Sequence, residues 1–167
     1  MVGTTGAGKT SFAARLAASS GVQHVELDAL YWEPGWRAAT PEVFRDRVRA
    51  ATESGGWVVD GNYSIVRDIL WGRADTIVWL DYGLPTILWR LIRRTFRRAL
   101  TREVLWNGNR ERLKTSFFSR ESILLWALKT CWKRKRNYPR ILSLPEYSHL
   151  EVVRLRSPRE AERWAAR

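Results

Sequence analysis

The sequence predicts an α/β fold, layered, with a mainly parallel sheet, and three observations carry that prediction. Short apolar runs of strand type alternate with longer stretches of helical period. Three of the runs stop at an aspartate, at Asp28, Asp60 and Asp81. A glycine-rich stretch, Gly3 to Gly8, lies directly ahead of the first helical stretch.

Taken in order, Thr10 to Ala18 reads as a helix that Gly21 breaks, and His24 to Leu27 as a strand ending at Asp28. Ala29 to Trp36 reads as an aromatic loop with a Pro34-Gly35 turn. Thr40 and Pro41 open the next helix as N-cap and first helical residue, with Val43, Phe44 and Val48 on its apolar face and Gly55-Gly56 as its stop. Trp57 to Val59 is a buried type of strand ending at Asp60, and Thr76 to Leu80 another ending at Asp81. From Leu84 the period becomes helical. Leu84, Ile87, Leu88, Leu91, Ile92 and Phe96 are expected on one face, and Arg90, Arg93, Arg94, Arg97 and Arg98 largely on the other. The pattern breaks at Asn107-Gly108-Asn109. A second basic helix is expected from about Ser119 to about Asn137, with Ile123, Leu124, Ala127, Leu128 and Cys131 inward. Leu150 to Leu155 is the last strand, and Ser157-Pro158 caps a helix over Pro158 to Ala166.

The 167 residues fit one domain, with residues 28–64 and about 90–136 as regions within it. A single cysteine, Cys131, excludes an internal disulfide and suits a reducing compartment. The longest apolar run, Ile123 to Leu128, is too short to span a bilayer. The glycine-rich loop starts at residue 3, leaving no room for a signal peptide ahead of it, so a soluble cytoplasmic protein is expected. Only Met1 and Val2 precede Gly3, where a loop of this kind needs a strand. The first strand is therefore expected to be cut short and the natural start to lie upstream; Met1 found as the native N-terminus would refute this.

The formal net charge is +12, and its location is informative. Between Arg90 and Arg136 stand fifteen Lys/Arg against Glu103, Glu111 and Glu121, while the rest of the chain balances. Such a segment is expected to bind something anionic, polyphosphate, nucleic acid or a membrane surface; a merely solvated face, which usually carries mixed signs, is the alternative.

Gly3-Thr4-Thr5-Gly6-Ala7-Gly8-Lys9-Thr10 matches the phosphate-binding pattern G-x-x-x-x-G-K-[ST], with Ser11 following on the helix. Gly3, Gly6 and Gly8 let the backbone turn its N–H groups toward phosphate oxygens, and the helix N-terminus adds partial positive charge. Lys9 is expected on the β- and γ-phosphates of ATP and the Thr10 hydroxyl on Mg²⁺. Mg²⁺ also wants a strand-end carboxylate. Asp60 and Asp81 are both candidates, each alternatively a structural cap, and Asp60 is favoured.

These residues resemble the adenylate kinase group of P-loop phosphotransferases. Asp60-Gly61 after a buried strand is similar to that group's metal-supporting Asp-Gly element. Asp81 followed by Arg90 and Arg94 resembles its strand-end Asp and the arginines that clasp the transferring phosphates. The basic stretch resembles its lid, and Ser157-Pro158 the loop against adenine. A closer likeness is to the DNA topology modulation protein (FlaR-type) family. Leu27-Asp28-Ala29-Leu30-Tyr31-Trp32, Pro34-Gly35-Trp36 and Val59-Asp60-Gly61-Asn62-Tyr63-Ser64 are similar to its distinctive stretches. The resemblance implies a P-loop NTPase three-layer α/β/α fold, with a truncated first strand and a helical basic lid, and an ATP- and Mg²⁺-dependent kinase. The chain departs from adenylate kinases after Asp60-Gly61, where Asn62-Tyr63-Ser64 replaces the Pro-Arg that grips AMP and no arginine occurs before Arg67.

The acceptor region is read from residues 28–64. A hydroxyl acceptor benefits from a carboxylate base, which an already ionised phosphate does not need, and Asp28 is the candidate; a turn cap is the alternative. Tyr31, Trp32 and Trp36 either stack on a ring or pack, Arg37 is placed to pair with an anion, and Asn62 and Tyr63 are expected to line the same pocket. Packing is expected for Trp57, Trp79, Trp89 and Trp126, and a structural role for His24 and His149. The alternative function is an ATP-regulated nucleic-acid-binding protein, with Trp106, Trp126 and Trp132 stacking on bases. Membrane association through the basic amphipathic helix Leu84 to Ala99 is a third reading.

Overall fold

A computed structural model describes residues 1–53, 55–101, 103–109 and 123–166. The expected helix start near Ser119, the basic residues 110–122 and the side chains of Ile123, Leu124 and Trp126 lie outside the described residues.

The chain is α/β, and its main strand pairings are parallel. In chain order the elements are β1 (Val2–Gly3), α1 (Lys9–Ser20), β2 (Gln23–Glu26), α2 (Leu27–Tyr31), β3 (Trp32–Glu33), β4 (Arg37–Ala38) and α3 (Pro41–Ala51). They continue with β5 (Trp57–Asp60), α4 (Arg67–Trp71), β6 (Thr76–Leu80), α5 (Leu84–Thr101), α6 (Ile123–Leu142), β7 (Glu151–Leu155) and α7 (Pro158–Ala165). Three parallel strands run β1-β6-β7, and β2 pairs in parallel with β5. The two ladders are separate because β1 has only two residues, paired with Trp79 and Leu80. Met1, just ahead of β1, nevertheless reaches the other ladder: its amine donates to the Val59 carbonyl, and its carbonyl accepts from Gly61 N at 3.3 Å.

Alternation along β6 sorts the core onto two faces. Ile77 and Trp79 join Phe44 and Val48 of α3, Leu70 and Trp71 of α4 and Tyr138 of α6. Val78 and Leu80 join Phe12 of α1, Ile87 of α5, Cys131 of α6 and Ala161 of α7. The caps act as their sequences indicate. Thr40 accepts from Val43 N at 3.4 Å, Ser157 accepts from Glu160 N at 3.2 Å, and Gly21 closes α1 at φ 65°.

Several expectations are corrected. Ala29 to Trp36 is not a loop: α2 occupies its start, and β3 and β4 form an antiparallel hairpin through Pro34-Gly35. The β2–β5 ladder stops at the Glu26–Asp60 pair, so Asp28 lies in the first turn of α2, not at a strand end. On α5 the buried stripe is Ile87, Leu91 and Thr95, four residues apart, while Phe96 is a further 100° round and half exposed. Trp89 also faces outward and is not a packing residue. Helix α6 passes its expected end at Asn137 and carries Pro139 inside it. Burial of Tyr138 against Trp79 and Trp71, with ring centroids at 5.4 and 6.1 Å, holds that turn in place despite the hydrogen bond the proline forfeits. Among the described residues no helix is long and apolar enough to cross a membrane.

Candidate functional site

The glycine-rich loop leaves β1 and turns into α1 through two left-handed glycines, Gly6 at φ 83° and Gly8 at φ 88°. Ala7 N donates to the Thr4 carbonyl at 3.0 Å, and Phe12 N donates to the Gly8 carbonyl as the helix begins. A Cβ on Gly6 would lie 2.8 Å from the Ile87 carbonyl oxygen, and one on Gly8 3.0 Å from Arg90 Nη1. The left-handed φ alone makes Gly6→Ala costly by about 1–2 kcal/mol, and the Ile87 contact adds to it. We expect this variant to melt earlier and bind nucleotide more weakly; an unchanged denaturation midpoint would show that the loop does not need its glycine. Thr4 is buried, Thr5 half-buried, and Ser11 lies exposed on α1.

Cations converge on this loop. Arg90 Nη1 donates to the Ala7 carbonyl at 2.9 Å, and its guanidinium stacks 5.4 Å from the Tyr82 ring centroid. The half-buried Lys9 rests its Nζ 3.4 Å from the Thr4 carbonyl. Burial first, and then the nearby Arg134 charge, hold the Lys9 amine down to a pKa of about 8; Asp60 and Asp28 oppose this, and Arg94 adds to it. Arg134 comes from α6, so both basic helices contribute to the site. Arg134 itself is held below its ordinary value by burial.

Facing the cations is a group of carboxylates. Asp60, buried at the end of β5, accepts from the Thr10 hydroxyl at 2.8 Å, and its other oxygen lies 2.9 Å from His24 Nε2. Glu26, opposite Asp60 in the ladder register, is 3.3 Å from the Thr10 hydroxyl. Burial pushes the Glu26 carboxyl up, while a hydrogen bond from the Trp106 side chain pulls it down. Among the described residues no three His, Cys, Asp or Glu side chains form a metal-holding cluster. Thr10 and Asp60 offer two oxygens to a cation of the Mg²⁺ type, which keeps several of its waters. Asp81, the other carboxylate candidate, is buried one residue past Leu80, the register partner of Gly3, and is held by Lys135 at 2.9 Å and by Arg154.

Beside the carboxylates lies an aromatic group. The Tyr63 hydroxyl donates to Asp28 Oδ1 at 2.5 Å, and its pKa is raised, chiefly by burial and then by the Asp28 charge. Tyr63 packs on Tyr31 and Phe44, with centroids at 4.5 and 5.0 Å, and the rings continue edge to face through Trp32, Trp36 and Trp106. Residues 106–109 of the basic segment hold the β3–β4 hairpin. The buried Asn109 accepts from Trp36 N at 2.9 Å and donates to the Glu33 carbonyl at 2.9 Å, and Asn107 donates to the Trp32 carbonyl. Trp36 sits at φ 59°, an uncommon conformation for a bulky residue that this docking fixes.

The structure thus gathers Gly6, Gly8, Lys9, Thr10, Asp28, Asp60, Tyr63, Arg90 and Arg94. The Asn62 amide donates to the Gly3 carbonyl at 2.6 Å and accepts from Gly3 N and the Tyr138 hydroxyl. It braces the start of the loop. Arg37 is exposed on β4, bonded to the Pro34 carbonyl. Ser157 and Pro158 open α7 as a cap. His24, Glu26, Trp106, Asn109 and Arg134 were not assigned to the site by the sequence reading. Only Glu26 had a local signal, as a carboxylate near the end of a strand. No protein-family model matches the chain, and no curated protein matches it.

Proposed function

We propose that the chain is an ATP-dependent phosphotransferase of the adenylate kinase-like P-loop group, built as an α/β/α P-loop fold with a basic helical lid. It transfers the γ-phosphate of Mg-ATP to a nucleotide, nucleoside or small hydroxyl acceptor. The observation that carries this reading is the convergence of Lys9, Arg90, Arg94 and Arg134 on a loop whose Gly3 and Gly6 leave no room for a Cβ. Cations gathered at a partly buried loop create a positive potential that favours an anionic ligand there.

The residues present fit a polyphosphate with its metal. Gly6 lets the loop pack directly on Ile87 and Leu91 of α5, Gly8 lets it approach Arg90, and the groups brought beside the loop are cationic. When bound, Mg-ATP supplies the transferable phosphoryl group and a divalent charge. Lys9 and Arg94 neutralise oxygen charge, and Arg90 holds the loop closed through the Ala7 carbonyl. His24 orients Asp60 toward Thr10. Asp28 has Oδ1 occupied by the Tyr63 hydroxyl, and Oδ2 is left to take the proton of an acceptor hydroxyl. The contacts of residues 106–109 with the hairpin fix Trp106 beside the aromatic group on the acceptor side, where it helps to exclude water.

The test is ADP release from ATP in the presence of nucleosides, nucleoside monophosphates or small hydroxy-acids. The reading predicts acceptor-dependent turnover, lost in Asp28→Asn when the acceptor is a hydroxyl. If no acceptor stimulates turnover while single-stranded DNA or RNA does, the proposal fails and the basic segment is a nucleic-acid arm.

A further inference from the structure

The phosphate-site reading uses only the inner side of the two basic helices. Helix α5 carries Arg90, Arg94 and Arg98 at four-residue spacing, all half-buried. Its opposite side is also organised. Trp89, Arg93, Phe96 and Leu100 recur at three- and four-residue spacing, so they form one stripe along the helix, with Arg97 at its border. All five are exposed, Trp89 at 67% and Leu100 at 80%. On α6 the outward residues are Lys129, Trp132, Lys133 and Arg136, with Trp132 69% exposed. Neither helix contains an acidic residue, and the nearest one, Glu103 just past α5, pairs with Arg97 at the border of the stripe at 3.1 Å. A solvated face would interleave both signs, and an exposed apolar stripe this long marks a contact surface.

We propose that these outer faces form a docking surface for a bilayer rich in anionic phospholipid. The stripe joins large apolar side chains to flanking arginines whose stems lie along apolar surface while their heads reach phosphate. That combination holds an amphipathic helix in the headgroup plane. A nucleic acid would satisfy the charge and stack on Trp89 and Trp132, but it offers nothing to Leu100, the most exposed apolar residue of the stripe. A second copy of the chain would set the same basic rows against each other. Lipid matches both the charge and the aliphatic part.

The experiment is co-sedimentation of the protein with phosphatidylcholine vesicles, with and without phosphatidylglycerol. Binding is expected only to the anionic vesicles and is expected to fall as salt rises. Trp89→Ser/Leu100→Ser removes the apolar contact and should weaken binding by at least about tenfold. Both side chains are exposed, and an unchanged melting curve confirms that the fold is intact. Arg93→Glu/Lys133→Glu tests the charge separately and should also abolish binding. Absence of binding to anionic vesicles, or binding that neither variant weakens, overturns the proposal. Tight oligonucleotide binding lost in the same variants, without vesicle binding, overturns it in favour of nucleic acid. None of these outcomes depends on phosphate transfer.

Discussion

Lys9→Ala is expected to lower phosphate transfer by about 10²–10³-fold, the usual cost of removing one preorganised donor to developing charge. The Lys9 amine is the natural candidate for that donor. It sits at the head of α1, and Arg134 and Arg94 lie close enough to act on its charge. The same crowding makes the substitution harmless to folding. In the free protein the amine titrates at about 8, against 10.5 for an ordinary lysine, so between these values the unfolded chain binds more protons than the folded one. Stability therefore rises with pH across that window. Below it, the folded protein bears the full cost of the buried charge. Lys9→Met, which keeps the apolar volume, should melt higher than the native protein at neutral pH, and the difference should shrink as pH approaches 10.5. Nucleotide affinity should move the other way, weakening as pH rises through about 8 and the amine loses its proton. Full turnover in Lys9→Ala would sink the phosphotransferase reading.

What could be read from the sequence was whatever one segment settles by itself. Thr76–Leu80 and the start of α5 at Leu84 follow from a local change of period, and α3 and α7 follow from a threonine or serine placed before a proline. The glycine loop is equally local, because its φ values and its lysine lie within eight consecutive residues. What escaped depends on partners far away in the chain. The end of β2 is fixed by its register with β5, which moves Asp28 into a helix and brings Glu26 opposite Asp60. His24 belongs to the site only because Asp60, thirty-six residues later, folds beside it. Asn109 reads as a loop breaker, yet its amide is buried on the hairpin seventy-three residues before it. The second basic helix is expected from its sequence to end at about Asn137, and the aromatic contacts of Tyr138 on distant rings explain why α6 continues through Pro139. The arginines of α5 are legible in part: their four-residue spacing puts Arg90 and Arg94 on one side of the helix, and only the fold shows that this side meets the loop.

The two strand-end aspartates, equivalent in sequence, should separate completely on mutation. Asp81→Asn keeps the shape of a buried side chain but removes the charge that Lys135 and Arg154 share, leaving two cations facing each other. Breaking a buried pair costs about 3–5 kcal/mol, and the lower end applies here because about a third of each cation remains in water. For a chain of this size that is a fall in melting temperature of about 6–12 °C. Asp60→Asn should barely change stability, by less than about 1 kcal/mol. An amide in its place can still accept from His24 and donate to the Thr10 oxygen. What it loses is the carboxylate charge that a divalent cation requires, so turnover should fall by about 10²-fold or more and the Mg²⁺ needed for half-maximal rate should rise. The reverse pattern, an inert Asp60→Asn beside an inactive but stable Asp81→Asn, would move the metal to Asp81 and leave Asp60 as a brace for Thr10 and His24.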